Sequence, residues 1–376
     1  MKRNERIKTK CNTLGKCLWI MTGIMLMLCF LTGCSMQPGT DAVSGGKNAR
    51  TEKTQYQATF LDLFNTVTTV VGKAENEEVF TQQAQAVYDS LLYYHQLFDV
   101  YNDYEGVNNI KTINDQAGIA PVKVDAAIVE MLADCKEYYE QTNGRVNAAM
   151  GSVLYLWHTA RNDSINDPVH AYLPETEKLK AAAEHTDMKK LVIDREASTV
   201  FLSDPDMRLD VGAIAKGWAT QKAADEFAAK YPAEDGGFLI SVGGNVCATG
   251  PKDAQGTAWV IGIQKPDGDA NEYLHTVYVK SGCVVTSGDY QRTYAVDGKQ
   301  YHHIIDPDTL FPSAYWRSVT IICEDSGQAD ALSTALFLMD LESGQKLLKQ
   351  YDAAAMWVNA DGEIFYSPGF KDLIRT

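Results

Sequence analysis

The sequence predicts an α+β fold with antiparallel sheets and packed helices, and three observations carry that expectation. Apolar residues recur at helical spacing in several separate segments. Between them lie short β-branched and aromatic runs, two pairs of which are joined by the hairpin turn signals Asp297-Gly298 and Asp361-Gly362. Helices and strands are mixed, without the regular strand–helix–strand alternation of a parallel sheet.

The chain starts with a basic segment, in which Lys2, Arg3, Arg6, Lys8, Lys10 and Lys16 stand against Glu5 alone. Residues 18–31 are apolar apart from Thr22 and Gly23. That run is short for a membrane-spanning helix and suits a signal-peptide core. It ends in Leu31-Thr32-Gly33-Cys34, which resembles a bacterial lipobox. The resemblance implies a signal peptide over residues 1–33 and acylation of Cys34. An uncleaved signal anchor is the other reading. Both place the folded part on the outer face of the cell membrane, and the first attaches it there by a lipid anchor. Residues 34–55 are rich in Gly, Ser, Thr and Lys and are expected to be a flexible tether. Residues 56–376 are the expected folded domain.

Within that domain, Glu77 to Phe98 carries Val79, Phe80, Val87, Leu91, Tyr94 and Phe98 on one helical face. Asp125 is a plausible N-cap for a helix with Ile128, Met131, Leu132, Cys135 and Tyr139 inward. A helix follows Pro174. Residues 191–194 and 199–202 read as a hairpin. Residues 214–230 are Ala-rich and helical, ended by Pro232. Residues 238–242, 259–263 and 276–279 are strand-like. Residues 292–296 and 300–305 flank the first turn signal as a hairpin. A strand at 319–323, a helix at 330–339 and a closing hairpin at 356–366 complete the chain.

The chain has 376 residues, 45% of them hydrophobic, and carries 34 Lys+Arg against 49 Asp+Glu, a net charge of −15. This is globular composition with enough length for a sizeable core. Because the leader is basic, the domain is more acidic still, which excludes nonspecific nucleic-acid binding. Cys135, Cys247, Cys283 and Cys323 are widely spaced without a C-x-x-C pair, so they are expected to be small buried hydrophobes.

Four segments carry candidate chemistry. Residues 208–217, Arg-Leu-Asp-Val-Gly-Ala-Ile-Ala-Lys-Gly, bring an acidic residue, small residues and Lys216 to a helix start, which suits a phosphate or a tight strand–helix junction. Gly243-Gly244 before Asn245 permits close backbone approach to a ligand, or a bend. Thr286-Ser287-Gly288-Asp289-Tyr290-Gln291-Arg292 precedes Tyr301-His302-His303-Ile304-Ile305-Asp306-Pro307. Adjacent His residues on a strand point to opposite faces, so one is expected to serve a site and the other the structure. In Ala329-Asp330-Ala331-Leu332-Ser333-Thr334, a helix would put Asp330 and Thr334 one turn apart, as two oxygen ligands for Mg2+ or as a cap and a surface residue.

In this order the four segments resemble the ApbE family, the FAD:protein FMN transferases. Phe64-Asn65-Thr66, Phe98-Asp99-Val100-Tyr101 and residues 143–151 add weaker matches. The resemblance implies binding of FAD and Mg2+ and transfer of FMN to a Thr or Ser hydroxyl of an acceptor flavoprotein, with release of AMP. It implies a metal held by the Ala213 carbonyl, Asp330 and Thr334, and FAD contacts from Phe64, Tyr101, Asn147, Asp210, Lys216 and the strand at His303-Ile304. The base that takes the hydroxyl proton stays open among His303, Asp306 and Asp289, with His303 the better of the His pair. The chain departs from the family pattern in two places. Leu310-Phe311 stands where Gly is expected, and Asn147-Ala148-Ala149 where Asp-Pro-Thr is expected.

Two other readings compete with transfer. One is an FAD pyrophosphatase that gives FMN to water. The other is a solute-binding lipoprotein, which predicts two lobes of similar size. For a transferase, a membrane electron-transfer subunit would suit the tether as acceptor.

Overall fold

The first described elements form a hairpin, β1 (Thr54–Leu63) and β2 (Thr66–Ala74). Its tip, Phe64-Asn65, has φ of 50° and 52°, the left-handed values whose twist matches a two-residue hairpin. Lacking the usual glycine, the tip gave no turn signal, and the hairpin is absent from the sequence reading. The computed structural model describes residues 53–233, 236–269 and 272–375. The expected signal peptide, Cys34 and the tether up to residue 52 lie outside the described residues. Because β1 begins at Thr54, the last two residues expected to be tether are strand.

Helix α1 (Glu77–Phe98) starts where Asn76 accepts the Val79 N–H at 3.0 Å, and it buries Phe80, Val87, Leu91, Tyr94 and Phe98. Helix α2 (Ile110–Asp115) and strand β3 (Val122–Lys123) lead to α3 (Ala126–Gln141), capped by Asp125 as expected. Helix α4 (Gly151–Asn166) was not legible in sequence, because its N-cap, Met150, offers no side-chain acceptor. Helix α5 (Thr176–Ala183) and strands β4 (Leu191–Asp194) and β5 (Thr199–Leu202) follow. Then come α6 (Ala215–Lys230), β6 (Leu239–Val242), β7 (Asn245–Ala248), β8 (Trp259–Gln264), β9 (Tyr273–Val279) and β10 (Gly282–Gly288). The expected hairpin around Asp297 is shorter than its apolar pattern, as β11 (Tyr294–Val296) and β12 (Lys299–Tyr301). The chain closes with β13 (Ser318–Cys323), α7 (Ser326–Phe337), α8 (Leu341–Leu348), β14 (Ala353–Val358) and β15 (Ile364–Tyr366).

Eight strands form one sheet in the order β1-β2-β6-β7-β10-β13-β14-β15, every neighbouring pair antiparallel. Side chains alternate between its faces. Val285, Ile321 and Trp357 join Phe80, Trp218 and Leu332 from α1, α6 and α7 in one core. Val284, Met356 and Val358 face the other way and pack against Trp259, Ile261 and Val277 of the β8–β9 hairpin. With both faces covered, the central strands are apolar almost throughout, which is why residues 319–323 carry no alternation. A third cluster joins Val153 and Trp157 of α4 to Leu179, Tyr294 and Ile305.

The turn after Asp306 keeps its shape without the expected glycine. Leu310 itself takes φ 61°, its N–H donates to the Asp306 carbonyl at 2.8 Å, and its carbonyl accepts from Trp157 Nε1 at 2.9 Å. A left-handed L-residue costs roughly 1–2 kcal/mol. Leu310→Gly is therefore expected to change the unfolding free energy by less than about 1 kcal/mol, strain relief offsetting lost packing. Leu310→Val, stiff at χ1 and no less strained, is expected to lose about 2 kcal/mol in the same urea titration.

Candidate active site

The site is built where α6 and α7 touch. Asp325 caps α7, accepting the Gln328 N–H at 2.7 Å, so Asp330 is not the cap but an interior residue, only 3% exposed. A carboxylate so buried needs donors. Asp330 Oδ2 accepts the Gly217 N–H at 2.8 Å, and Oδ1 lies 3.4 Å from Lys216 Nζ. Gly217 is the third residue of α6, whose first N–H groups have no partner within the helix. Asp330 caps this one from α7, and the Ala213 carbonyl, just before the N-cap Ile214, accepts no backbone N–H among the described residues. The contact requires glycine, since a Cβ on Gly217 would lie 2.2 Å from the Ser326 carbonyl oxygen and 2.5 Å from Asp330 Cβ.

Lys216 Nζ also donates to Asn245 Oδ1 at 3.1 Å. Asn245 is buried, and its Nδ2 has no partner among the described residues. It is placed by the glycine pair, which is a turn between strands: Gly243 sits at φ 62°, and a Cβ on Gly244 would come within 2.8 Å of the Thr286 carbonyl. Thr334, one helical turn beyond Asp330, is half-buried, and its hydroxyl makes no hydrogen bond among the described residues. An unpaired carbonyl, a carboxylate and an unused hydroxyl are hard oxygen donors of the kind Mg2+ takes, so the residues present fit that ion.

Beside this junction the charges of Lys216, Arg161 and Arg292 converge on His303. His302 and His303 part as expected, though on an irregular segment and not on a strand. The His302 ring meets Phe337 edge-on, and its Nε2 donates to the Ser313 carbonyl at 2.8 Å. His303 Nδ1 donates to the Gln291 carbonyl at 3.2 Å, which leaves Nε2 with a free lone pair. Burial pushes His303 down to about 3, helped by the charges of Arg292, His302, Lys216 and Arg161. Arg292, at φ 50°, reaches across to the Phe64 carbonyl at 3.2 Å. The Phe64 ring meets His95 edge-on at 5.3 Å. Tyr101 remains 43% exposed and stacks one ring face on His158, centroids 4.5 Å apart. Asp210 leads into α6, its Oδ1 accepting the Gly212 N–H at 2.8 Å. Burial pushes the Asp210 carboxyl up, against the pull of that N–H and of Arg292 and Arg161.

Four expected site residues are occupied elsewhere. Asp306 Oδ1 accepts the Asp308 N–H at 2.8 Å and faces Arg145 at 3.4 Å, so it shapes its own turn. Asp289 is held by Arg317 Nε at 2.5 Å, and Arg317 also grips Asp267 at 2.6 and 2.7 Å. A carboxylate paired to arginine is a poor base, so although Asp289 Oδ1 has no partner among the described residues, His303 is the better acceptor of the three expected bases. Asn147 uses both ends of its amide, donating to the Thr186 carbonyl at 3.1 Å and accepting from the Ala149 N–H at 2.8 Å. Ile304 turns into the core, its N–H given to His302 Nδ1 and its carbonyl bonded by the Ser313 N–H. The sequence reading missed Arg161 and His158, whose helix it did not find, and passed over Asn245. A polar residue directly after a Gly-Gly turn was the available signal for Asn245.

Comparison with known proteins follows this geometry closely. A model of the ApbE family matches residues 54–357. The FAD:protein FMN transferase of Treponema pallidum is 34% identical over 280 residues, 71% of this chain and 75% of its own length. One from Klebsiella pneumoniae is 32% identical over 279 residues, 72% of this chain and 83% of its own. The crystal structure of the ApbE protein of Thermotoga maritima superposes with a TM-score of 0.75 at 30% identity, covering 86% of this chain and all of that one.

Gly217→Ala is expected to push α6 off α7. It should cost at least about 2 kcal/mol by chemical denaturation, in the range of overpacked cores. His303 has a folded pKa below its unfolded one, so the unfolded chain binds the proton that the folded chain refuses. Stability is therefore expected to fall as pH drops from about 6.5 toward 3. Urea melts of His303→Asn should show a shallower loss than wild type across that window.

Proposed function

The chain belongs to the ApbE family, and on that premise we propose that it is an FAD:protein FMN transferase. It moves the FMN half of FAD to a Thr or Ser hydroxyl of an acceptor flavoprotein and releases AMP. The observation that carries the reading is the α6–α7 junction, where Asp330 takes the Gly217 N–H close to an unpaired Ala213 carbonyl, beside the cations gathered around His303.

Mg2+ is held in this reading by the Ala213 carbonyl, Asp330 and Thr334, and when bound it neutralises and orients the two phosphates of FAD. Lys216 and the unpartnered Asn245 Nδ2 supply donors to phosphate oxygens. Tyr101 offers an aromatic ring, its face away from His158, for stacking. His303 Nε2 takes the proton of the acceptor hydroxyl. In the free protein His303 is a weak base because burial, and then the cations around it, oppose a further charge. Bound phosphates offset those cations and strengthen it. The remaining barrier is one of position and charge, as in other phosphoryl transfers.

The solute-binding alternative requires two lobes, whereas residues 51–376 cluster as one compact unit. Acylation of Cys34 would hold the enzyme on the outer face of the membrane beside an acceptor such as an electron-transfer subunit. The deciding experiment incubates the protein with FAD, Mg2+ and a candidate acceptor and weighs the acceptor by mass spectrometry. Covalent FMN on a Thr or Ser supports transfer. FMN and AMP released with the acceptor unlabelled would replace it with hydrolysis. Asp330→Ala, which removes the anionic ligand, is expected to lower turnover roughly a hundredfold or more. Unchanged turnover with metal still required would remove Asp330 from the site.

A further inference from the structure

Two guanidinium groups beside His303 share one opposing carboxylate, Asp210, which burial pushes up toward its neutral form. Arg161 on α4 donates to His158 Nδ1 at 2.9 Å, and Arg292 donates to the Phe64 carbonyl at 3.2 Å. Neither forms an ion pair with a carboxylate among the described residues. Lys216, by contrast, is answered by Asp330. Burial and the charge of Arg292 both weigh against the charge on Arg161. Like charges gathered in a partly dry cleft are costly unless an anion joins them. Arg161 is also aimed. His158 accepts its N–H, and the His158 ring is fixed by the stack on Tyr101. Burial and the two arginines hold His158 below its ordinary pKa, in the neutral form that can accept.

The proposed reaction produces an anion at a definite stage. In FAD each phosphate carries one negative charge. The acceptor oxygen bonds to the FMN phosphorus, and the bridging P–O bond breaks with its electron pair left on the AMP oxygen. The hydroxyl proton goes to the base. FMN ends as a phosphodiester with one charge. AMP ends as a phosphomonoester, whose second pKa of about 6 gives it nearly two at pH 7. One further negative charge therefore develops on the AMP side as the bond breaks.

We propose that Arg161, aimed by His158, binds the AMP phosphate and stabilises the charge that develops there. Arg161 is on this assignment a catalytic residue for the leaving group, and His158 a positioning residue. The proposal rests on the transferase reading above.

The test uses the full chain with Mg2+, measuring FAD turnover and, separately, AMP binding by calorimetry. Arg161→Met is expected to lower kcat at least about tenfold with KM for FAD changed less than about threefold, the pattern of an interaction made in the transition state. It should weaken AMP binding about tenfold and leave riboflavin binding unchanged, and Arg161→Lys should restore part of both losses. His158→Phe keeps the aromatic stack but removes the accepting nitrogen, and it should weaken AMP binding by a smaller factor. AMP binding unchanged in Arg161→Met overturns the proposal. So does a rise in KM alone, which would make Arg161 an anchor for intact FAD. A wild-type chain that binds AMP but neither labels an acceptor nor cleaves FAD would sink the transferase reading instead.

Discussion

One hydrogen bond organises the candidate site: the Gly217 N–H donated to the Asp330 carboxylate. It joins the first turn of α6 to the interior of α7. It satisfies a buried carboxylate and caps an N–H that the start of α6 leaves without a partner, next to the unpaired Ala213 carbonyl. It needs a bare backbone at residue 217, because the Ser326 carbonyl leaves no space for a Cβ. The start of one helix is thereby fixed against the interior of another, which brings the Ala213 carbonyl, Asp330 and Thr334 to the same junction.

The rest of the fold holds those two helix ends in place. The antiparallel sheet lies beneath α6 and α7 and is backed by the β8–β9 hairpin. Layers apolar on both faces fix helix positions closely, because packed interiors tolerate little volume change. Phe64, Arg292 and His303 lie in irregular segments at the ends of strands, and Asn245 opens β7 directly after a turn. Positive φ at Phe64, Asn65, Gly243 and Arg292 shows how tightly these connections turn. The rigid part sets the metal-type oxygens, and the turns set the cations around them.

Charge explains the division of labour among the residues. The chain is acidic overall, at −15, yet Lys216, Arg161 and Arg292 gather around one histidine. The carboxylates at Asp289 and Asp306 are matched by Arg317 and Arg145 and take no part in that imbalance. A positive pocket on an acidic molecule attracts a small anion while discouraging large polyanions.

Much of this was legible in the order of residues. Helical spacing with Asn76 or Asp125 as caps marks α1 and α3, because burial and capping act within a few positions. The motifs around Asp210, Asp330 and His303, taken in order, single out the family and a metal-type oxygen set. Turns without glycine were not legible. Phe64-Asn65 and Leu310 adopt left-handed backbone that their residue types disfavour, and only surrounding contacts hold them there. Nor could the sequence separate His303 from Asp289 and Asp306, or find Arg161. Whether a carboxylate is free or bound to arginine depends on partners such as Arg317 and Arg145, far away in the chain. The sequence by itself determined helices such as α1, α3 and α6, the acidic charge and the four candidate segments, since these follow from local pattern and composition. Only the tertiary structure decided which donors share a cleft and which are neutralised, since that depends on through-space distances between residues remote in sequence.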